Sequence, residues 1–116
     1  MAYEGSCHCG AVSFRVESDI PDTAMSCNCP HCRRKGFLLT FVPIDQFRLT
    51  SGSEKLTWYK FNKHDIDHQF CNVCGRQSFS VGTGPSGEKI AAVNLCCVPD
   101  ADLDGLTIQK VDGASF

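Results

Sequence analysis

Nine cysteines in 116 residues are the side chains of this sequence most able to do chemistry, and their spacing decides which chemistry. They stand at positions 7, 9, 27, 29, 32, 71, 74, 96 and 97. An odd count and tight Cys-x-Cys and Cys-x-x-Cys pairs suit thiolate ligation of a metal better than a framework of disulfides. Cys7 and Cys9 are two residues apart, so at a strand end both side chains address the same face. Cys71-Asn72-Val73-Cys74-Gly75 reads as a knuckle, a tight turn around an ion, with Gly75 supplying the positive φ that often follows. The two pairs together offer four thiolates, the closed tetrahedral complement of a structural zinc: Cys7, Cys9, Cys71 and Cys74. Such a clip ties the N-terminal segment to one more than sixty residues later and removes much of the unfolded chain's freedom. Structural zinc contributes on the order of 10 kcal/mol to folding.

Cys27-Asn28-Cys29-Pro30-His31-Cys32 is a different device, with three thiols inside six residues on one local loop that Pro30 stiffens. Three protein ligands leave a fourth position open, as in a catalytic zinc. Alternatively His31, Cys96 or Cys97 closes the site. Arg33, Arg34 and Lys35 follow at once. Three positive charges beside a trithiolate offset its excess negative charge or hold an anionic substrate such as a carboxylate; the plainer alternative for each is a solvated turn. Asn94 interrupts an apolar run where strand propensity disfavours it, either to line the site by hydrogen bonding or to face water. Cys96 and Cys97 point opposite ways if they lie in a strand, and a free buried cysteine is the default for each. His64 and His68 have strand or turn settings that favour structural roles over ligation. Asp100-Ala101-Asp102-Leu103-Asp104-Gly105 opens like a calcium-binding loop, but its twelfth position is Val111 where a bidentate Glu is required.

The elements that must position these groups are short strands. Val12, Phe14 and Val16 alternate with polar neighbours, as do Ile66, His68 and Phe70. Phe37–Val42, Leu56–Phe61, Phe79–Val81, Ile90–Leu95 and Thr107–Val111 are further apolar or β-rich runs separated by Gly, Pro and Ser-Gly turns. Sustained helical periodicity is absent, and at most one helical turn fits, near Ile44–Phe47 after Pro43. The expectation is a single all-β zinc-binding domain over residues 1–116, built of short antiparallel sheets with zinc sites at strand ends. A net charge of −2 argues against a dedicated nucleic-acid or anionic-membrane binder. No run approaches the roughly 20 apolar residues of a membrane span, and no secretory signal is visible, so the expected location is the cytoplasm.

Four segments together resemble the glutathione-dependent formaldehyde-activating enzyme family. They are Gly5-Ser6-Cys7-His8-Cys9-Gly10-Ala11-Val12-Ser13-Phe14, Cys27 through Arg34, Phe70 through Gly75, and Val93-Asn94-Leu95 with Asp112-Gly113. The resemblance runs nearly end to end. It implies an Mss4-like fold, a structural zinc on Cys7, Cys9, Cys71 and Cys74, and a catalytic zinc on Cys27, Cys29 and Cys32. It further implies a carbon–sulfur lyase, S-(hydroxymethyl)glutathione synthase, joining formaldehyde to the thiol of glutathione. The expected substrate-binding residues are Arg33, Arg34, Lys35 and Asn94. The chain departs from the family pattern at Arg76, where members often have a small residue, and at Cys96, where many have Arg. The rival reading is a non-catalytic, zinc-stabilised protein-interaction module on the same fold; zinc storage or sensing is a third.

Overall fold

The computed structural model describes residues 2–28, 30–59, 66–83 and 86–112. Ten strands run in chain order among them: β1 (Tyr3–Ser6), β2 (Ser13–Val16), β3 (Thr23–Cys27), β4 (Leu39–Pro43), β5 (Phe47–Ser51), β6 (Leu56–Tyr59), β7 (Ile66–Cys71), β8 (Phe79–Thr83), β9 (Lys89–Asn94) and β10 (Thr107–Val111). They form a three-stranded sheet, β1-β2-β5, and a seven-stranded sheet, β10-β3-β4-β9-β8-β7-β6. The all-β expectation therefore holds. Two parts of it need correction. The larger sheet is mixed, because β10 pairs with β3 in parallel, Val111 opposite Cys27. The helical content also exceeds one turn: besides the 3₁₀ turn Ile44–Gln46 there is a helix, α1 (Pro30–Lys35).

Local chemistry accounts for α1, which is too short to leave a periodic signature. Pro30 occupies the first helical position, where its preset φ is right and its missing N–H is no loss. Arg33, Arg34 and Lys35 fill the last turn, where positive charge meets the carbonyl end of the helix dipole. Gly36 ends the helix at φ 67°, and its N–H donates to the Cys32 carbonyl at 3.0 Å.

In β2, Phe14 and Val16 are wholly buried and alternate with half-exposed Ser13 and Arg15, as the period-two pattern requires. β9 behaves differently. It lies between β4 and β8, so Ala91, Ala92, Val93 and Asn94 are all buried and the alternation disappears. Three aromatic rings fasten the sheets to one another. Phe14 of β2 stacks on Phe47 of β5 at 5.4 Å, and both rings meet Phe79 of β8, at 6.4 and 4.8 Å. Among the described residues no helix is long and apolar enough to cross a membrane.

Because Phe14 touches both partners of this trio, Phe14→Ala should destabilise the metal-loaded protein by about 3–5 kcal/mol. Guanidinium unfolding checks this; a loss under about 1 kcal/mol would mean that the sheets are held together elsewhere.

Candidate metal centre and adjoining cavity

The chain leaves β1 into a turn in which the Cys7 N–H donates to the Val12 carbonyl at 3.0 Å and the Gly10 N–H donates to the Cys7 carbonyl at 3.2 Å. Gly10 sits at φ 82°, a conformation that disfavours side chains. Cys7 and Cys9 thus converge because the backbone turns; the same-face rule for strands is not what aligns them. At the other end of the clip, Cys71 closes β7, and the Gly75 N–H, at φ 78°, donates to the Cys71 carbonyl at 2.9 Å, forming the expected knuckle. Arg76 braces it. The Arg76 guanidinium donates to the Cys74 carbonyl at 2.6 Å, and the Arg76 carbonyl accepts from the Cys71 N–H at 3.0 Å.

The four sulfurs lie within 4.8 Å of one another, with Cys7–Cys9 at 3.6 Å and Cys9–Cys71 at 3.7 Å. Zinc–sulfur bonds of about 2.3 Å at tetrahedral angles give sulfur–sulfur edges of about 3.8 Å, so this donor set fits a tetrahedral ion of that size. Backbone N–H groups of Val12 and Val73 point at Cys7 Sγ and Cys71 Sγ, each at 3.4 Å. Such outer contacts disperse thiolate charge and orient ligands. The sulfurs differ in how readily they ionise. The Cys9 and Arg76 backbone amides draw the Cys74 thiol down to about 6. At Cys9 the Ala11 amide lowers the pKa, but partial desolvation and the sulfurs of Cys7, Cys71 and Cys74 outweigh it and push it up to about 11. Four thiolates this close repel one another, and only a cation among them removes the conflict.

Cys27 ends β3 and Cys32 lies in α1, so the second cysteine segment is a strand-to-helix turn. Cys29 lies outside the described residues. Cys27 and Cys32 line one cavity of about 460 Å³, together with Asn28, Arg33, Lys110 and Asp112. Asn28 ties the two walls together: its N–H donates to the Val111 carbonyl at 3.1 Å and its side-chain amide to Asp112 at 2.9 Å. Of the three basic residues predicted to meet substrate, Arg33 alone lines the cavity. Lys35 sits 5.7 Å over the Phe70 ring. Lys110 escaped notice in the sequence because a parallel pairing brings it from more than seventy residues away, with no spacing signal to mark it.

Asn94 is buried, which excludes the water-facing alternative. Its side-chain amide donates to the Gln77 carbonyl at 3.0 Å, and its side-chain oxygen accepts from the Cys96 N–H at 3.1 Å, capping the 3₁₀ turn Leu95–Cys97. That turn, rather than a strand, carries Cys96 and Cys97. Cys96 is exposed. Burial, then the charges of Cys96, Cys7 and Cys74, raise the Cys97 thiol to about 11. His31 packs its ring against His68, Tyr59 and Phe37 at 4.1, 5.9 and 5.9 Å, and burial, then the Lys35 charge, lowers its pKa. None of His31, Cys96 and Cys97 lines the cavity. His64 lies outside the described residues.

Fold and site together define a small β domain with a four-cysteine cluster able to hold a metal ion and a separate cavity edged by two further cysteines. The chain belongs to the glutathione-dependent formaldehyde-activating enzyme family, whose sequence profile matches residues 2–107. It is 32% identical over 82 residues to a Halomonas elongata protein provisionally named a glutathione-dependent formaldehyde-activating enzyme. That match takes in 64% of this chain and 52% of the relative, so the chain spans about half the length of the curated relative it matches. The crystal structure of a Rhodobacter sphaeroides protein has the same fold, with a TM-score of 0.76 at 31% identity over 91% of this chain and 99% of that one.

Two outcomes test the metal centre. Metal uptake requires all four thiols to lose their protons, so apparent affinity should rise with pH throughout about pH 5 to 8 and fall most steeply below the Cys74 value of about 6. Competition against a chromophoric chelator measures this; a flat profile would remove the four-thiolate assignment. Cys71→Ser should abolish cooperative unfolding, whereas Cys32→Ser should retain it. Equal thermal melts for the two variants would show that the cluster is no clip.

Proposed function

We propose that the protein is a zinc-dependent, carbon–sulfur lyase-type enzyme that condenses a small aldehyde, formaldehyde, with glutathione or a similar thiol to an S-hydroxymethyl adduct. The observation that carries this reading is the second pair of described cysteines, Cys27 and Cys32, opening on a cavity that Arg33 also lines. Family membership supplies the reacting partners. Two zinc ions per chain are proposed, one closed by Cys7, Cys9, Cys71 and Cys74, the other held by Cys27, Cys29 and Cys32 with a position left for substrate. All-thiolate donor sets favour zinc, and free thiolate ligands persist in a reducing compartment, which supports a cytoplasmic location.

Cys27, Cys29 and Cys32 would hold the zinc, which when bound would keep a neighbouring thiol deprotonated near neutral pH. The chain's own groups do the rest. Arg33 takes a carboxylate of the thiol substrate and fixes its orientation, turning a bimolecular encounter into a positioned one. The sulfur lone pair then forms the carbon–sulfur bond as the carbonyl π pair moves to oxygen, and that oxygen takes a proton from water. Cys27, Cys29 and Cys32 already donate strongly, so the thiol is held loosely and catalysis is modest.

A second reading has an observation of its own. Trp58 and Tyr59 are 60% and 51% exposed on β6, an edge strand of the large sheet. Exposed aromatics on a strand that ends the sheet among the described residues suit a zinc-stabilised interaction module. Exchange NMR on formaldehyde and glutathione at equilibrium separates the two. The wild type should speed interconversion about a hundredfold over Cys32→Ser, the order that assisted proton removal contributes. Equal rates for the two proteins across several thiols would leave only the interaction module.

A further inference from the structure

We propose that Lys110 is a substrate-recognition residue which, with Arg33, reads two carboxylates of the thiol substrate. This deepens the reading of the cavity as a thiol site and rests on it. β10 runs parallel to β3 in a register that sets Lys110 opposite Ser26 and Val111 opposite Cys27. Lys110 lines the same cavity as Cys27, Cys32 and Arg33. The two hydrogen bonds from Asn28, one from its backbone N–H to Val111 and one from its side chain to Asp112, tie the β10 wall to the cysteine turn.

Charge points to the ligand class. Apart from its thiols, the cavity presents two cations, Arg33 and Lys110, and one anion, Asp112. Among the described residues no carboxylate pairs with either cation; the ion pairs belong to Arg15 and Arg48 with Glu17. A γ-glutamyl thiol tripeptide of the glutathione type carries the opposite set, two carboxylates and one ammonium. Asp112, which accepts from the Asn28 side-chain amide, supplies the negative charge that the ammonium would face. At about 460 Å³ the cavity falls in the usual size range of small-molecule sites. Lys110 also lies beyond residue 107, where the family match ends.

Calorimetry with S-methylglutathione and its diethyl ester, on the zinc-loaded protein at low salt, tests this without requiring turnover. The wild type should prefer the acid over the ester by about tenfold or more, the order expected for a charge-assisted hydrogen bond. Lys110→Ala should bind the acid about tenfold more weakly and lose most of that preference, Lys110→Arg should keep it, and Lys89→Ala should match the wild type. Zinc content and melting temperature should be unchanged in Lys110→Ala, separating recognition from folding. The assignment is overturned if Lys110→Ala binds the acid like wild type, if it weakens acid and ester equally, or if the wild type binds no acid at all. Charge-dependent binding without any formaldehyde turnover would remove the lyase reading and leave Lys110 as a ligand-binding residue.

Discussion

Four sulfurs from opposite halves of the chain meet within 4.8 Å, and the rest of the structure is arranged to tolerate that meeting. The constraint is electrostatic. The same closeness that makes a tetrahedral donor set prevents the thiols from all ionising on their own: backbone amides draw Cys74 down, while at Cys9 desolvation and the three neighbouring sulfurs outweigh the Ala11 amide and push it up. Backbone amides at Val12 and Val73 reach two of the sulfurs, and Arg76 holds the knuckle by its carbonyl. Arg76 is therefore a brace: it adds a hydrogen bond after the knuckle and a positive charge near the cluster.

The cluster is also part of a core. Cys7 and Cys71 are buried with Val12, Leu56 and Phe79, and Phe47 packs against this group as well as against the main core around Phe14. Metal site and hydrophobic packing therefore share atoms, through the Phe14–Phe47–Phe79 trio. A chain of this length buries only about two-thirds of its unfolded surface, so a metal clip coupled to the junction of two sheets adds a constraint that apolar burial alone supplies sparingly.

The cavity obeys a different logic. Its cysteines occupy the change from β3 to α1, and its far wall is β10, a strand whose parallel pairing needs a long connection. Rigid parts thus flank a site whose polar groups face solvent. Arg33 reaches the cavity because α1 begins at Pro30. On a six-residue helix successive side chains diverge by about 100°, and only one of three adjacent basic residues is delivered there.

The cysteine spacing and the period-two runs were enough to indicate an all-β chain, the pairing of Cys7 and Cys9 with Cys71 and Cys74, and the separateness of Cys27 and Cys32, because these depend on residue type and short sequence separation. β1, β3 and β5 were not legible: Thr23–Cys27 is a mixed polar run, and Phe47–Ser51 becomes a strand by pairing with β2. Asn94 stood out as a polar residue in an apolar strand, but only its buried position shows that it caps a turn. The helix at Pro30 was hidden by its brevity. Lys110 was hidden by distance along the chain: a residue's place on a strand can be read locally, but which strand lies beside it is settled by the packing of the whole sheet.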